Sequence, residues 1–90
     1  MLSLDDTVQR APGVVSRESG DELVAVLPEQ GRFLVLNDTG AQIWEMADGQ
    51  HTLRDIALAL VETWQIEPAR AEADVLRLAS QLIERGALVG

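Results

Sequence analysis

The sequence contains no cysteine, no lysine and no tyrosine, and it has a single histidine, a single phenylalanine and three prolines. Without cysteine there is no disulfide framework, no thiolate metal site and no cysteine nucleophile. A reducing cytoplasm suits such a chain, and cytoplasmic is the expected location. Without lysine, all seven basic residues are arginine, set against fifteen acids for a net charge of −8. That balance repels nucleic acid and anionic lipid and favours a neutral or basic partner. The histidine, His51, sits in the turn-like stretch Asp48-Gly-Gln-His-Thr52. A histidine base needs a nucleophile and an orienting group within hydrogen-bond reach, and Ser16 or Ser80 would meet it only by accident of folding. Zinc wants several Cys or His ligands, and only carboxylates are plentiful here. Acidic groups such as Asp5-Asp6 or Glu67, Glu72 and Asp74 read as solvated faces, and no glycine-rich phosphate loop appears. Asp38-Thr39-Gly40 matches the aspartic protease tripeptide in letters, yet it lies at a strand-to-helix junction and reads as a cap. No catalytic, cofactor-binding or metal site is expected, so the chain is not expected to be an enzyme. Its apolar runs fall far short of the roughly 20 residues of a membrane span. The start, Met1-Leu-Ser-Leu-Asp-Asp, has neither a basic region nor an apolar core, so no signal peptide is expected.

What is present is an apolar content of 47%, enough for one core in ninety residues. A single domain over residues 1–90 is expected, with an ordered core from about Ala11 to Val89. Up to Asn37 the pattern is that of strands. Val14 to Arg17 forms a short first strand, and Glu18-Ser-Gly-Asp21 turns the chain. Glu22-Leu-Val-Ala-Val-Leu27 follows, Pro28-Glu-Gln-Gly31 turns it again, and Arg32-Phe-Leu-Val-Leu36 is the third strand. Connections of about four residues predict an antiparallel meander. The second and third strands are apolar on both faces. One face must meet the helices, which leaves the other face, or the free edge, for something else.

The second half has helical spacing. Asn37-Asp38-Thr39 offers a choice of N-caps, with Thr39 and Gln42 matching a capping box. The short helix after it carries Ile43, Trp44 and Met46 and is expected to end at Gly49. A tight turn from Ala47 to His51 leads to Thr52, which opens a second helix with Asp55 three residues on. Leu53, Ile56, Ala57, Leu60 and Val61 are its apolar positions. Pro68 fits the first turn of the last helix, which stops at Gly86. Val75, Leu76, Ala79, Leu82 and Ile83 form its core stripe, centred on Ala79, while Ala71, Asp74, Leu78 and Arg85 fall on one flank. Ala87-Leu88-Val89 allows a brief terminal strand. The fold class expected is α+β, a three-stranded antiparallel sheet followed by three helices, with a winged helix-turn-helix-like architecture.

Leu36-Asn37-Asp38-Thr39-Gly40-Ala41-Gln42-Ile43-Trp44-Glu45, then Asp48-Gly49, resembles the PqqD-like family. Pro12-Gly13-Val14 upstream, the Thr-led helix Thr52-Leu-Arg-Asp-Ile-Ala57, the span from Asp74-Val75 to Leu82, and the close on Gly86-Ala-Leu-Val89 fit in the same order. The resemblance extends over roughly Ala11 to Val89. It implies a non-catalytic recognition element that captures the leader segment of a ribosomally synthesised precursor peptide by strand addition, between the third strand and the last helix. Docking would then run along Arg32, Phe33, Leu34, Val35 and Leu36, with Ala71, Asp74, Val75 and Leu78 of the last helix on the peptide's other side. Ile43 and Trp44 read as core. The resemblance also implies a second partner, a separate processing enzyme such as a leader peptidase or cyclase. The Asn-x-Thr-Gly-x-x-Ile-Trp form, usually lacking in the PqqD proteins of pyrroloquinoline quinone synthesis, is closer to the stand-alone recognition proteins of lasso peptide pathways. A PqqD-type chaperone of quinone synthesis is the alternative. Two other classes compete. A winged helix suggests DNA binding, but Glu67 to Arg85 carries four acids against three arginines and has no basic face. An oligomerisation domain would instead pair its own sheet edge with a second copy.

Overall fold

The computed structural model describes the backbone of residues 1–90 and every side chain except that of Pro28. Ten elements follow one another: β1 (Thr7–Arg10), β2 (Val15–Ser19), β3 (Glu22–Leu27), a 3₁₀ turn (Pro28–Gln30), β4 (Arg32–Leu36), α1 (Asp38–Met46), β5 (Asp48–Thr52), α2 (Leu53–Trp64), α3 (Pro68–Glu84) and β6 (Leu88–Val89). The fold is α+β, with antiparallel sheets and three helices, as expected. The meander β2-β3-β4 is the anticipated three-stranded sheet. Its register sets Val15 opposite Val26 and Val26 opposite Phe33 on one face, and Leu23 opposite Leu36 on the other. The period of two along a strand makes the second face the core face: Leu23, Ala25, Leu27 and Leu36 are all buried.

A second sheet, of order β5-β1-β6, was not expected. It corrects the reading of Ala47 to His51 as a tight turn. β5 is Asp-Gly-Gln-His-Thr, with no apolar residue and therefore no alternation to read, and it is held by pairing with β1. The register shifts between Thr7 and Gln9, and Gly49 sits at this irregularity with φ +81°, where an added Cβ would lie 3.1 Å from Gln9 Oε1. β1 contributes the buried Val8 and a second service: Arg10 donates to the carbonyls of Trp44 (2.7 Å) and Glu45 (3.0 Å). Both carbonyls lie in the last turn of α1, where the ordinary helical partner is missing; that of Trp44 also accepts from Ala47 N–H at 3.2 Å. The helix thus ends at Met46 with Ala47 as its C-cap, before Gly49.

The N-cap of α1 is Asn37, not Thr39, because the chain leaves β4 at Leu36 and turns at once. Asn37 Oδ1 accepts from Gly40 N–H at 2.9 Å. Gln42 takes no part in a capping box; its side chain accepts from Trp64 Nε1 (2.9 Å) and donates to Thr63 Oγ1 (3.3 Å), tying α1 to α2. Thr52 and Asp55 do form the box that opens α2. At the other end of α3, Gly86 adopts φ +78° and Ala87 N–H reaches back to Leu82 O (2.9 Å), the pattern by which a glycine closes a helix.

α1 packs on the inner face of the meander, while α2 packs against α1, α3 and β5, and α3 lies beside β4. Trp44 is 1% exposed, and Ile43, Leu53, Ile56, Leu60, Val75, Ala79 and Leu82 are buried with it. Leu76 and Ile83, expected in the core stripe of the last helix, reach only the margin of the core, as do Met46 and Val61. No helix among the described residues is long and apolar enough to cross a membrane.

One acid of the second sheet carries a pH signature. Asp48 Oδ1 accepts from the Gln50 N–H (2.9 Å), the His51 N–H (3.2 Å) and His51 Nδ1 (3.0 Å). With the Gln50 amide contributing most, these bonds lower its carboxyl from 3.8 to about 2. A pKa lower in the folded than in the unfolded state gives stability that is present above 3.8 and lost as pH falls toward about 2. Urea unfolding of Asp48→Asn should therefore show a shallower loss of stability across that window than the parent. Identical slopes would contradict the assignment.

Candidate functional site

β4 is an edge strand, bonded to β3 on one side only. Successive residues of such a strand direct their N–H and C=O groups alternately to the partner and to the open side, so the open side is a template for another chain. The side chains alternate too. Leu34 and Leu36 turn toward the core, while Phe33 and Val35 stand outward at 68% and 50% exposure.

α3 runs alongside this open edge in the opposite direction. Leu34, Val35 and Leu36 meet Leu78, Gln81, Leu82 and Arg85 across a groove of about 180 Å³. Farther toward the strand's start, Gln30, Gly31, Arg32 and Phe33 border a second hollow of about 250 Å³ that again includes Leu34 and Arg85. The two form one trough, with the strand edge as one wall and the last turns of α3 as the other. Leu78, half-buried, packs its inner side on the core and leaves its outer side to the groove.

Of the residues expected at this site, Arg32 to Leu36 and Leu78 come together. Ala71 and Val75 do not join them, since both are fully buried. Placing Ala71 on the flank of α3 was incorrect. The buried residues Ala71, Val75, Ala79 and Leu82 define a stripe whose centre lies about 45° round the helix from Ala79, at 100° per residue, toward Leu78. Asp74 is also set apart. It lines a separate depression of about 510 Å³ at the head of α3, with Thr39, Ile66, Glu67 and Arg70. Its carboxylate is already paired within the helix, to Arg77 at 3.0 Å and Arg70 at 3.7 Å. Gln81 and Arg85 complete the wall; Arg85 was read on the flank of Leu78 without being named as a binding residue, and Gln81 was not read at all. The signal was present, because 78, 81, 82 and 85 follow the i, i+3, i+4, i+7 spacing of one helix face.

The outer face of the meander is the other unusual surface. Val15 and Val26 are 62% and 42% exposed and stand in a row with Phe33, and Val24 lies opposite Val35 beside them. Several apolar groups side by side in solvent mark an interaction surface more often than scattered single ones do.

Comparison with known proteins bears on this geometry. The family model described as coenzyme PQQ synthesis protein D (PqqD) matches residues 22–88. No curated protein sequence matches significantly. Among solved structures, the PqqD truncation of Methylobacterium extorquens PqqCD is similar at 28% identity and a TM-score of 0.84, covering 100% of this chain and 96% of that one. It is described as a functional, stand-alone recognition element for ribosomally synthesised and post-translationally modified peptides. A lasso peptide synthetase B1 complexed with the leader peptide is 25% identical at a TM-score of 0.83, covering 92% of this chain and 98% of its own. TbiB1 in complex with the TbiA(beta) leader peptide shares the fold at 22% identity and a TM-score of 0.83, with 91% and 95% covered.

Proposed function

The chain belongs to the PqqD family, and from that footing we propose that it is a non-catalytic recognition element which takes the leader segment of a ribosomally synthesised precursor peptide as an added strand on β4. The observation that carries this reading is the unpaired β4 edge beside an apolar trough walled by α3. In strand addition the main chain supplies affinity and alternate side chains fall into pockets that supply specificity. Leu34, Leu36, Leu78 and Leu82 suit apolar side chains on the inner side of the peptide. The descriptions of two similar structures, a stand-alone recognition element and a leader-bound synthetase subunit, support the same reading.

A chain without chemistry of its own hands the peptide to a separate processing enzyme. The outer face, with Val15, Val26 and Phe33 in a row, suits that enzyme because it is continuous with the strand the peptide would join. Val26→Asp should leave leader affinity unchanged and slow leader removal by the partner peptidase about tenfold, the scale of one charged intrusion into an apolar contact. An unchanged rate would move the enzyme's docking surface elsewhere.

We favour a lasso-type leader peptidase or cyclase as that enzyme, on the Asn37-x-Thr39-Gly40-x-x-Ile43-Trp44 form. A chaperone of quinone synthesis is the second reading, favoured by the family model. Titrating fluorescent leaders of both kinds distinguishes the two. One of them should bind in the micromolar to nanomolar range, part of the contact energy being lost in ordering a flexible peptide. Binding of neither would reject leader recognition.

The groove wall gives a sharper expectation. Leu78→Ala should weaken leader binding by roughly 1–3 kcal/mol, with a smaller loss of stability because Leu78 is only half-buried. Asp74→Asn should weaken it less, since Asp74 lies outside the trough and is engaged by Arg77 and Arg70. A sharp fall in melting temperature with affinity intact would make Leu78 purely a core residue.

A further inference from the structure

The trough does not close at the Arg32 end of β4. Beyond it a hollow of about 520 Å³ opens between the β1–β2 connection and the end of α3, bordered by Ala11, Pro12, Val14, Leu27 and Gly86. It shares Leu27 and Gln30 with the adjoining part of the trough. The Gln30 side chain borders both, its Nε2 donating to Arg85 O at 2.9 Å. Gly86 makes room for this low lip: a Cβ there would lie 2.5 Å from Gln30 Nε2. The far wall is fixed in advance. Ala11 N–H donates to Ala87 O at 2.9 Å and Val14 N–H to Ala11 O at 3.3 Å, so the connection is tied to the residue that follows α3.

We propose, on the premise that β4 takes an added strand, that this hollow is a second subsite for the same peptide. It takes an aliphatic side chain from the residues lying beyond the Arg32 end of that strand. Continuity argues for one occupant, since a strand advances ~3.3 Å per residue and the residues just past the one opposite Arg32 must cross the Gln30 lip. The lining argues for the side-chain class. It is aliphatic apart from Gln30 and Glu29, and Glu29, in a chain of net charge −8, disfavours an acidic side chain. The two parts of the site then divide the work. Main-chain pairing along β4 is indifferent to sequence, whereas the trough and the hollow at Val14 each select a side chain.

The probe is a peptide captured by this chain from a random display library. The chain has no cysteine, so a nitroxide on Val14→Cys is a unique label. It should broaden the amide signals of one end of the bound peptide. A second peptide lacking those residues should bind the parent chain about tenfold more weakly, the scale of one aliphatic side chain returned to water. Val14→Glu should bind the long and short peptides alike. No broadening at either end, or equal affinity of the two peptides for the parent chain, overturns the subsite. Val35→Pro separates this failure from that of its premise. If Val35→Pro abolishes binding while Val14→Glu changes nothing, the second subsite alone falls. If a folded Val35→Pro chain binds the long peptide unchanged, strand addition falls and takes the subsite with it.

Discussion

Trp44→Ala is expected to bring the protein close to unfolding at room temperature. Trp44 is the largest fully buried side chain and fills the space beneath the meander together with Ile43. Truncating a buried tryptophan costs about 3–5 kcal/mol, through lost transfer energy and the cavity left behind. A small domain has only about 5–15 kcal/mol in total. The site has a further peculiarity: Trp44 Nε1 is buried without a hydrogen-bond partner among the described residues. An unsatisfied buried donor costs about 1–3 kcal/mol, so Trp44→Phe removes that cost along with some volume and should be far milder than Trp44→Ala. Urea unfolding followed by circular dichroism checks both. A Trp44→Ala chain that stays folded and loses its peptide would place Trp44 in a binding site instead of the core.

Val35→Pro should abolish or severely weaken leader binding while the fold persists. Val35 stands in the middle of β4 with its side chain in solvent, so the core loses nothing when it is replaced. Proline removes the N–H and fixes φ, which bends the edge that an incoming strand must match. Edge strands tolerate proline better than central ones do. Each main-chain hydrogen bond contributes about 0.5–1.5 kcal/mol net, so disturbing two or more weakens binding by about tenfold or beyond. Fluorescence titration with a labelled leader, with circular dichroism as the control for folding, gives the result. Undiminished affinity in a folded variant would remove β4 from the site.

Both expectations come from residues whose places were legible without coordinates. Branched residues between turn-formers marked β2, β3 and β4, and β4 falls on Arg32–Leu36 as read. Apolar spacing and the caps Thr52, Pro68 and Gly86 marked the two long helices. What was not legible shares a physical cause. β5 has no apolar residue, and β1 has only Val8, so neither carries a periodic signal; their sheet exists through backbone pairing between distant segments. Asn37 prevailed over Thr39 as cap because the end of β4, a tertiary fact, decides where the helix begins. Ala71 was misplaced because centring the stripe on Ala79 rotated the inferred face of α3 away from where α2 and the sheet bury it. Asp74 shares the side of α3 that carries Leu78, Gln81 and Arg85, and only its place one turn nearer the helix start, which a helical face does not reveal, sets it apart from the groove.

Strand addition on β4 is tested most directly by hydrogen exchange of the isotopically labelled chain, read amide by amide with and without a synthetic leader. The open-side amides among Arg32–Leu36 should exchange quickly in the free chain and slow sharply when leader is bound. Those on the free edge of β2 (Val15–Ser19) should not change. Protection that appears on β2, or nowhere in the meander although the leader binds, would contradict the account.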